Sequence, residues 1–137
     1  MITEYAHKVQ YYETDKMGVT HHSNYLRIME EARTDFMGQI GYSYERMESE
    51  GFCSPVINIS CDYKKTTTFA DVIKVKVEIV ELTGVKIKFL YTMKVNDALV
   101  CEATSTHCCL NTEGKIISLK REKPETFNLF LSYLKKD

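Results

Sequence analysis

SNYLRIMEEARTDFMGQIG, residues 23–41, decides the fold. At about 100° per residue, Tyr25, Leu26, Ile28, Met29, Ala32, Phe36, Met37 and Ile40 share one side of a helix. Arg27, Glu31, Thr34, Asp35 and Gly38 take the other. The apolar arc covers about half the circumference, wider than the ~100° stripe of a surface helix. Such a helix has to be covered on more than one flank. Ser23 or Asn24 caps its start, and Gly41 stands where a left-handed residue ends a helix.

The rest of the chain supplies the cover. Ile57, Ile59, Cys61 and Tyr63 alternate with Asn58, Ser60 and Asp62, and Ile73, Val75, Val77 and Ile79 alternate with Lys74, Lys76 and Glu78. From Val85 to Val95 the same period holds, with Leu90 the exception. A period of two marks strands with one buried and one wet face. The breaks at Thr83-Gly84, Asn96-Asp97 and Asn111 to Gly114 are short, so neighbouring strands are antiparallel. Further strands are predicted over 5–12, 98–110 and 115–121, a short helix over 43–51, and a terminal helix from Pro124. The expected class is α+β, one antiparallel sheet wrapped around a long central helix, in a single domain spanning 1–137.

Composition narrows the function classes. A formal net charge of −1 excludes the basic footprint of a nucleic-acid binder. No apolar run reaches the length of a membrane span, and MITEYAHKVQYY does not read as a signal peptide. Cys53, Cys61, Cys101, Cys108 and Cys109 are odd in number and form no C-x-x-C pair, which points to reduced thiols and a cytoplasmic protein. Cys108 and Cys109 are strand neighbours on opposite faces, so His107-Cys108-Cys109 is a poor metal motif, and no metal is expected.

Ahead of the helix lies ETDKMGVTHH, residues 13–22. Aspartate is a common turn former, and on composition alone Asp15 reads first as a turn residue. It also sits where an ionised carboxylate is easily kept, next to a helix start whose first N–H groups lack intrahelical partners. Gly18 lets the loop fold back. No G-x-S-x-G elbow is present, so a hydrolase serine of that kind is not indicated; a carboxylate at Asp15 could instead serve as base or nucleophile.

YYETDKMGVTHHSNYLRIMEEAR, residues 11–33, closely resembles the signature of hotdog-fold acyl-CoA thioesterases of the 4-hydroxybenzoyl-CoA type. The matching features are Tyr11, Thr14-Asp15, Gly18, His22, Asn24-Tyr25, Glu30 and Ala32-Arg33. Weaker echoes follow at Tyr63, Asp71 and Thr106-x-Cys108. Where many relatives carry a proline after the Tyr63 strand, this chain reads KKTTTFAD. The resemblance implies hydrolysis of an acyl-CoA thioester to the free acid and coenzyme A, with Asp15 essential. It implies an oxyanion donor at the backbone N–H near His22, whose side chain can bond the carbonyl or hold Asp15. Tyr11, Asn24 and Tyr25 are the candidates for substrate contact. No cofactor is expected beyond the coenzyme A of the substrate. A homodimer or dimer of dimers is implied, with each site formed between two chains.

Two charged groups near the helix arc, Glu30 and Arg33, are three apart and are expected to pair. Lys74, Lys76, Lys86, Lys88 and Lys94 read as a solvated sheet face, with one or two in reach of coenzyme A phosphates. Two rival functions are a dehydratase acting on 3-hydroxyacyl thioesters, with His22 and Glu30 as the working pair, and a non-catalytic acyl-CoA binding module. Asp15 in the ETD motif argues against the first, and the second would have no need of it.

Overall fold

The long helix α1 spans Ser23–Gln39 in a computed structural model that describes residues 1–136. Gly41 ends it at φ +84°. The Tyr42 N–H donates to the Met37 carbonyl (3.0 Å) and the Gly41 N–H to that of Gly38 (3.1 Å), the paired closure that a left-handed residue allows. Ile28, Met29, Ala32, Phe36 and Met37 are buried, whereas Leu26 stays 43% exposed. The arc is thus covered on the sheet side and open along one flank.

The cover is a five-stranded antiparallel sheet in the order β1-β4-β5-β6-β3. Its strands are β1 (Tyr5–Lys8), β3 (Val56–Tyr63), β4 (Val72–Leu82), β5 (Lys86–Val95) and β6 (Ala98–Cys108). The hairpin between β5 and β6 turns on Asn96 and Asp97, both left-handed at φ +50° and +66°, the two-residue turn whose twist matches the strands it joins. Inner-face residues of β4 and β5, among them Ile73, Ile79, Phe89 and Met93, are buried, each contributing roughly 1.5–3 kcal/mol by leaving water. The remaining elements are α2 (Tyr44–Ser49), the short pair β2 (Phe52–Cys53) and β7 (Leu110–Asn111), α3 (Leu119–Glu122), and α4 (Pro124–Ser132), which opens on its proline.

Three expectations are corrected. The strand over 5–12 stops at Lys8, and a 3-10 turn at Tyr11–Glu13 follows. That turn is closed by the Gln10 N–H donating to Glu13 Oε1 at 2.7 Å, a contact that tyrosine-rich alternation does not reveal. The strand over 115–121 is absent. Ile116 makes one bridge to Leu110, and Ser118 then caps α3 by accepting from the Arg121 N–H, so the local cap prevails over the apolar pair Ile116-Ile117.

The third correction concerns Arg33. It is buried while Glu30 is exposed, and the two do not pair. Arg33 Nε donates to the Tyr44 hydroxyl (2.8 Å) and a terminal nitrogen to that of Tyr91 (3.0 Å). A polar chain continues from Tyr91 to Ser105 Oγ (2.6 Å), to His107 Nε2 (2.9 Å), and from His107 Nδ1 to the Ser54 carbonyl (2.8 Å). A carbonyl only accepts, so Nδ1 carries a proton and Nε2 accepts from Ser105. Both ring nitrogens of His107 are therefore engaged within the fold.

That chain has a pH consequence. Burial pulls the His107 imidazole down to about 4 from 6.5. Between those two values the unfolded chain holds a proton that the folded chain refuses, so stability falls as the pH drops through this window and is fully present above it. The loss is about 3 kcal/mol across the window. Urea unfolding of the wild type against His107→Gln isolates it: the stability gap between the two proteins should narrow on acidification. A gap independent of pH would show that His107 is not buried neutral.

Candidate active site

The stretch before α1 folds as a tight hairpin. The Gly18 N–H donates to the Asp15 carbonyl and the Asp15 N–H to that of Val19, each at 2.9 Å. Gly18 closes the turn at φ +77°, a conformation costing another residue about 1–2 kcal/mol. The Met17 N–H donates to Asp15 Oδ1 at 2.8 Å. This anchors one carboxylate oxygen, and the other makes no hydrogen bond among the described residues.

The hairpin is docked onto the KKTTTFAD segment. The Thr20 N–H donates to the Thr67 carbonyl (2.8 Å), and the hydroxyls of Thr20 and Thr67 meet at 2.6 Å. Thr68 Oγ1 donates to the Gly18 carbonyl (2.9 Å). The departure from the proline-bearing turn thus supplies hydroxyls that hold the loop. It turns through Ala70 at φ +72°, tied by the Thr68 N–H donating to Asp71 Oδ2 at 2.9 Å.

The start of α1 leaves one amide open. The Asn24 and Tyr25 N–H groups donate to the carbonyls of His21 and His22. The Ser23 N–H donates to His21 Nδ1 at 3.3 Å. The His22 N–H has no partner among the described residues. Neither Ser23 nor Asn24 is the cap. His22 stands at the cap position and makes no side-chain cap bond, while the His21 ring just ahead of it, to which the sequence assigned no part, accepts the Ser23 N–H. The His22 side chain is exposed and stacks on His21 at 4.3 Å, and no hydrogen bond joins it to Asp15.

Asp15, His22 and Tyr25 line one cleft of about 290 Å³ together with Tyr63, Lys64 and Lys65. The Tyr25 hydroxyl is fixed by Thr67 Oγ1 at 2.9 Å, and burial pushes its phenol up. Tyr63 packs edge-on against Tyr25 at 5.2 Å. Burial pushes its phenol up to about 12, so both rings are neutral walls. Two candidates lie elsewhere. Tyr11 is 77% exposed and packs on Phe69 rather than lining the cleft. Asn24 is buried and donates its amide to the Glu13 carbonyl at 2.9 Å, which makes it a bolt between the loop and α1.

Sequence reading missed Lys64, Lys65 and the Thr67 hydroxyl, because they follow a strand end where periodicity stops. The cleft is therefore lined by a residue with a half-free carboxylate, a residue with a free helix-start amide, two tyrosine rings and two lysines. Such a set can polarise a carbonyl, bring a nucleophile to it and meet an anionic tail.

Residues 9–129 match the Thioesterase-like superfamily. The chain is 36% identical over 121 residues to a Bacillus subtilis protein named "Putative acyl-CoA thioesterase YneP", covering 86% of this chain and 87% of that one. It is 26% identical to "Acyl-CoA thioesterase YbgC" of Haemophilus influenzae, over 88% and 84% of the two chains. The crystal structure of a DHNA-CoA thioesterase from Staphylococcus aureus superposes with a TM-score of 0.89 at 29% identity, over 95% of this chain and 89% of that one. The five-stranded antiparallel sheet over the long helix is the sheet-on-helix layout expected from the helix arc, and it is the hotdog fold that the resemblance of residues 11–33 implied. The chain belongs to the thioesterase-like family of hotdog enzymes.

Proposed function

We propose that the protein hydrolyses acyl-CoA thioesters, using Asp15 as base or nucleophile and the His22 N–H as the donor that stabilises the oxyanion. The observation that carries this reading is that Asp15, with one carboxylate oxygen free of partners, and His22, whose main-chain N–H at the helix start is unpartnered among the described residues, line one cleft. With Oδ1 held by Met17, the other oxygen of Asp15 is directed by a fixed turn and not by a free rotor. An amide at the positive end of a helix gains strength as the thioester oxygen becomes an oxyanion.

Lys64 and Lys65 in the cleft lining favour the phosphates of coenzyme A, in place of the sheet lysines considered from sequence. No metal or further cofactor is required by this route. The free thiols of all five cysteines agree with a reducing compartment such as the cytosol. At about 290 Å³ the cleft is at the small end of ligand sites. It holds the thioester, while the acyl and nucleotide ends extend beyond it.

Thiol release from a panel of acyl-CoAs tests the function directly: turnover on any member supports it, and none on all of them refutes it. In the same assay His22→Ala should lose about tenfold in turnover, since the proposed backbone donor survives and only a side-chain contact to substrate is removed. An effect larger than that of Asp15→Asn, at unchanged stability, would exchange the two roles.

A further inference from the structure

The loop that carries Asp15 has few apolar anchors. Tyr11, Tyr12 and Met17 are exposed, and only Val9 and Thr20 among its flanking residues are buried with Glu13. A carboxylate that is 5% exposed persists only when its lone pairs are met. Glu13 Oε1 receives the Gln10 N–H at 2.7 Å and lies 2.8 Å from His7 Nε2, with Oε2 at 3.1 Å from the same nitrogen. His7 Nδ1 lies 3.2 Å from Glu31 Oε1 on α1, which also accepts from the Tyr5 hydroxyl at 2.9 Å.

The main chain of Glu13 is equally committed. Its carbonyl accepts from the His21 N–H (2.8 Å) and from the Asn24 amide (2.9 Å). One residue thus holds β1 through its carboxylate and the start of α1 through its carbonyl. It stands two positions before Asp15 and next to the segment that presents the His22 N–H.

We propose that Glu13 and His7 form a positioning pair for the reaction, setting the Asp15 turn against the open amide at the start of α1. The inference rests on reading the Asp15 cleft as the active site. Neither residue lines that cleft, so both act through Asp15 and His22. Loss of the pair leaves substrate contacts in place and lets the carboxylate and the amide drift apart. Small misplacements of reacting groups are costly in rate, up to about 10²-fold per ångström.

The experiment compares Glu13→Ala, Glu13→Gln and His7→Gln with the wild type, measuring kcat, KM and the melting temperature. Glu13→Ala should lower kcat about tenfold with KM changed less than about threefold. Glu13→Gln, which keeps an acceptor oxygen for the Gln10 N–H, should recover most of that loss. In the Asp15→Asn background the Glu13 change should cost no further turnover, since nothing remains to be positioned. Should Glu13→Ala not fold, Glu13→Gln and His7→Gln carry the same comparison through smaller losses.

Wild-type kcat in Glu13→Ala, alongside an inactive Asp15→Asn, would overturn the positioning role and leave the cleft reading intact. A Glu13→Ala loss that persists undiminished without Asp15 would reduce the pair to general stability and overturn it as well. Full turnover in Asp15→Asn alone would remove the cleft reading and this inference with it.

Discussion

Asp15→Asn should leave the protein folded and remove nearly all of its thioesterase turnover. The substitution is almost isosteric, and the Met17 N–H can still donate to the amide oxygen that replaces Oδ1. The turn is otherwise held by main-chain bonds from Asp15 to Val19 and from Gly18 to Asp15, which asparagine retains. The melting temperature should therefore stay close to that of the wild type. What disappears is the second oxygen as base or nucleophile. General-base help alone is worth on the order of 10²–10⁴-fold, and a covalent route would lose more. Turnover and thermal melting on the same preparation decide the matter. A variant that melts normally and turns over at the wild-type rate would dismiss Asp15.

The sequence made the helix and its sheet legible because both write long periodic patterns. An arc of half a helix circumference can be satisfied only by a cover that wraps, and the strands around Ile73 to Ile79 and Val85 to Val95 show the face that does so. Asp15, Gly18 and His22 were legible for a different reason: they lie in one continuous loop whose motif resembles a known signature. Contacts between distant segments left no such trace. Arg33 meets Tyr44 and Tyr91, partners 11 and 58 residues away, where local spacing had offered Glu30. Asn24 resembles a cap or a ligand by position, yet it is turned inward by the Glu13 carbonyl. Glu13 reads as one more acid in a polar loop until its six-residue return to His7 is seen in three dimensions. Lys64 and Lys65 join the site only because the Thr20–Thr67 contact brings the loop to that strand end.

We propose that two chains pair along β3 to complete the site, so that Ile59→Asp should give a folded, nearly inactive single chain. The sheet has two edges, and they differ. β1 is four residues long, short enough to blunt pairing. β3 runs for eight residues, and its inner face is only half covered: Ile57, Ile59 and Tyr63 are 50%, 40% and 48% exposed, while the equivalent faces of β4 and β5 are buried. Leu26 on α1 is uncovered as well. A long open edge with apolar residues on its inner side invites a second copy of itself across a two-fold axis. Tyr63 belongs both to that half-covered face and to the cleft, so covering the first completes the second. In the lone chain position 59 is 40% exposed, so an aspartate there can turn its carboxylate to solvent and costs the fold less than it costs the pair. In the pair it would bury two unpartnered carboxylates, at several kcal/mol each. The expected readout is a species with the mass of one 15.9 kDa chain by light scattering after size exclusion, with unchanged helix and strand content. Its turnover should be lower by about 10²-fold or more, the loss that follows when a wall of the site is displaced. A single-chain species at wild-type turnover, whether the variant or the native protein, would refute the shared site and leave the hotdog fold untouched.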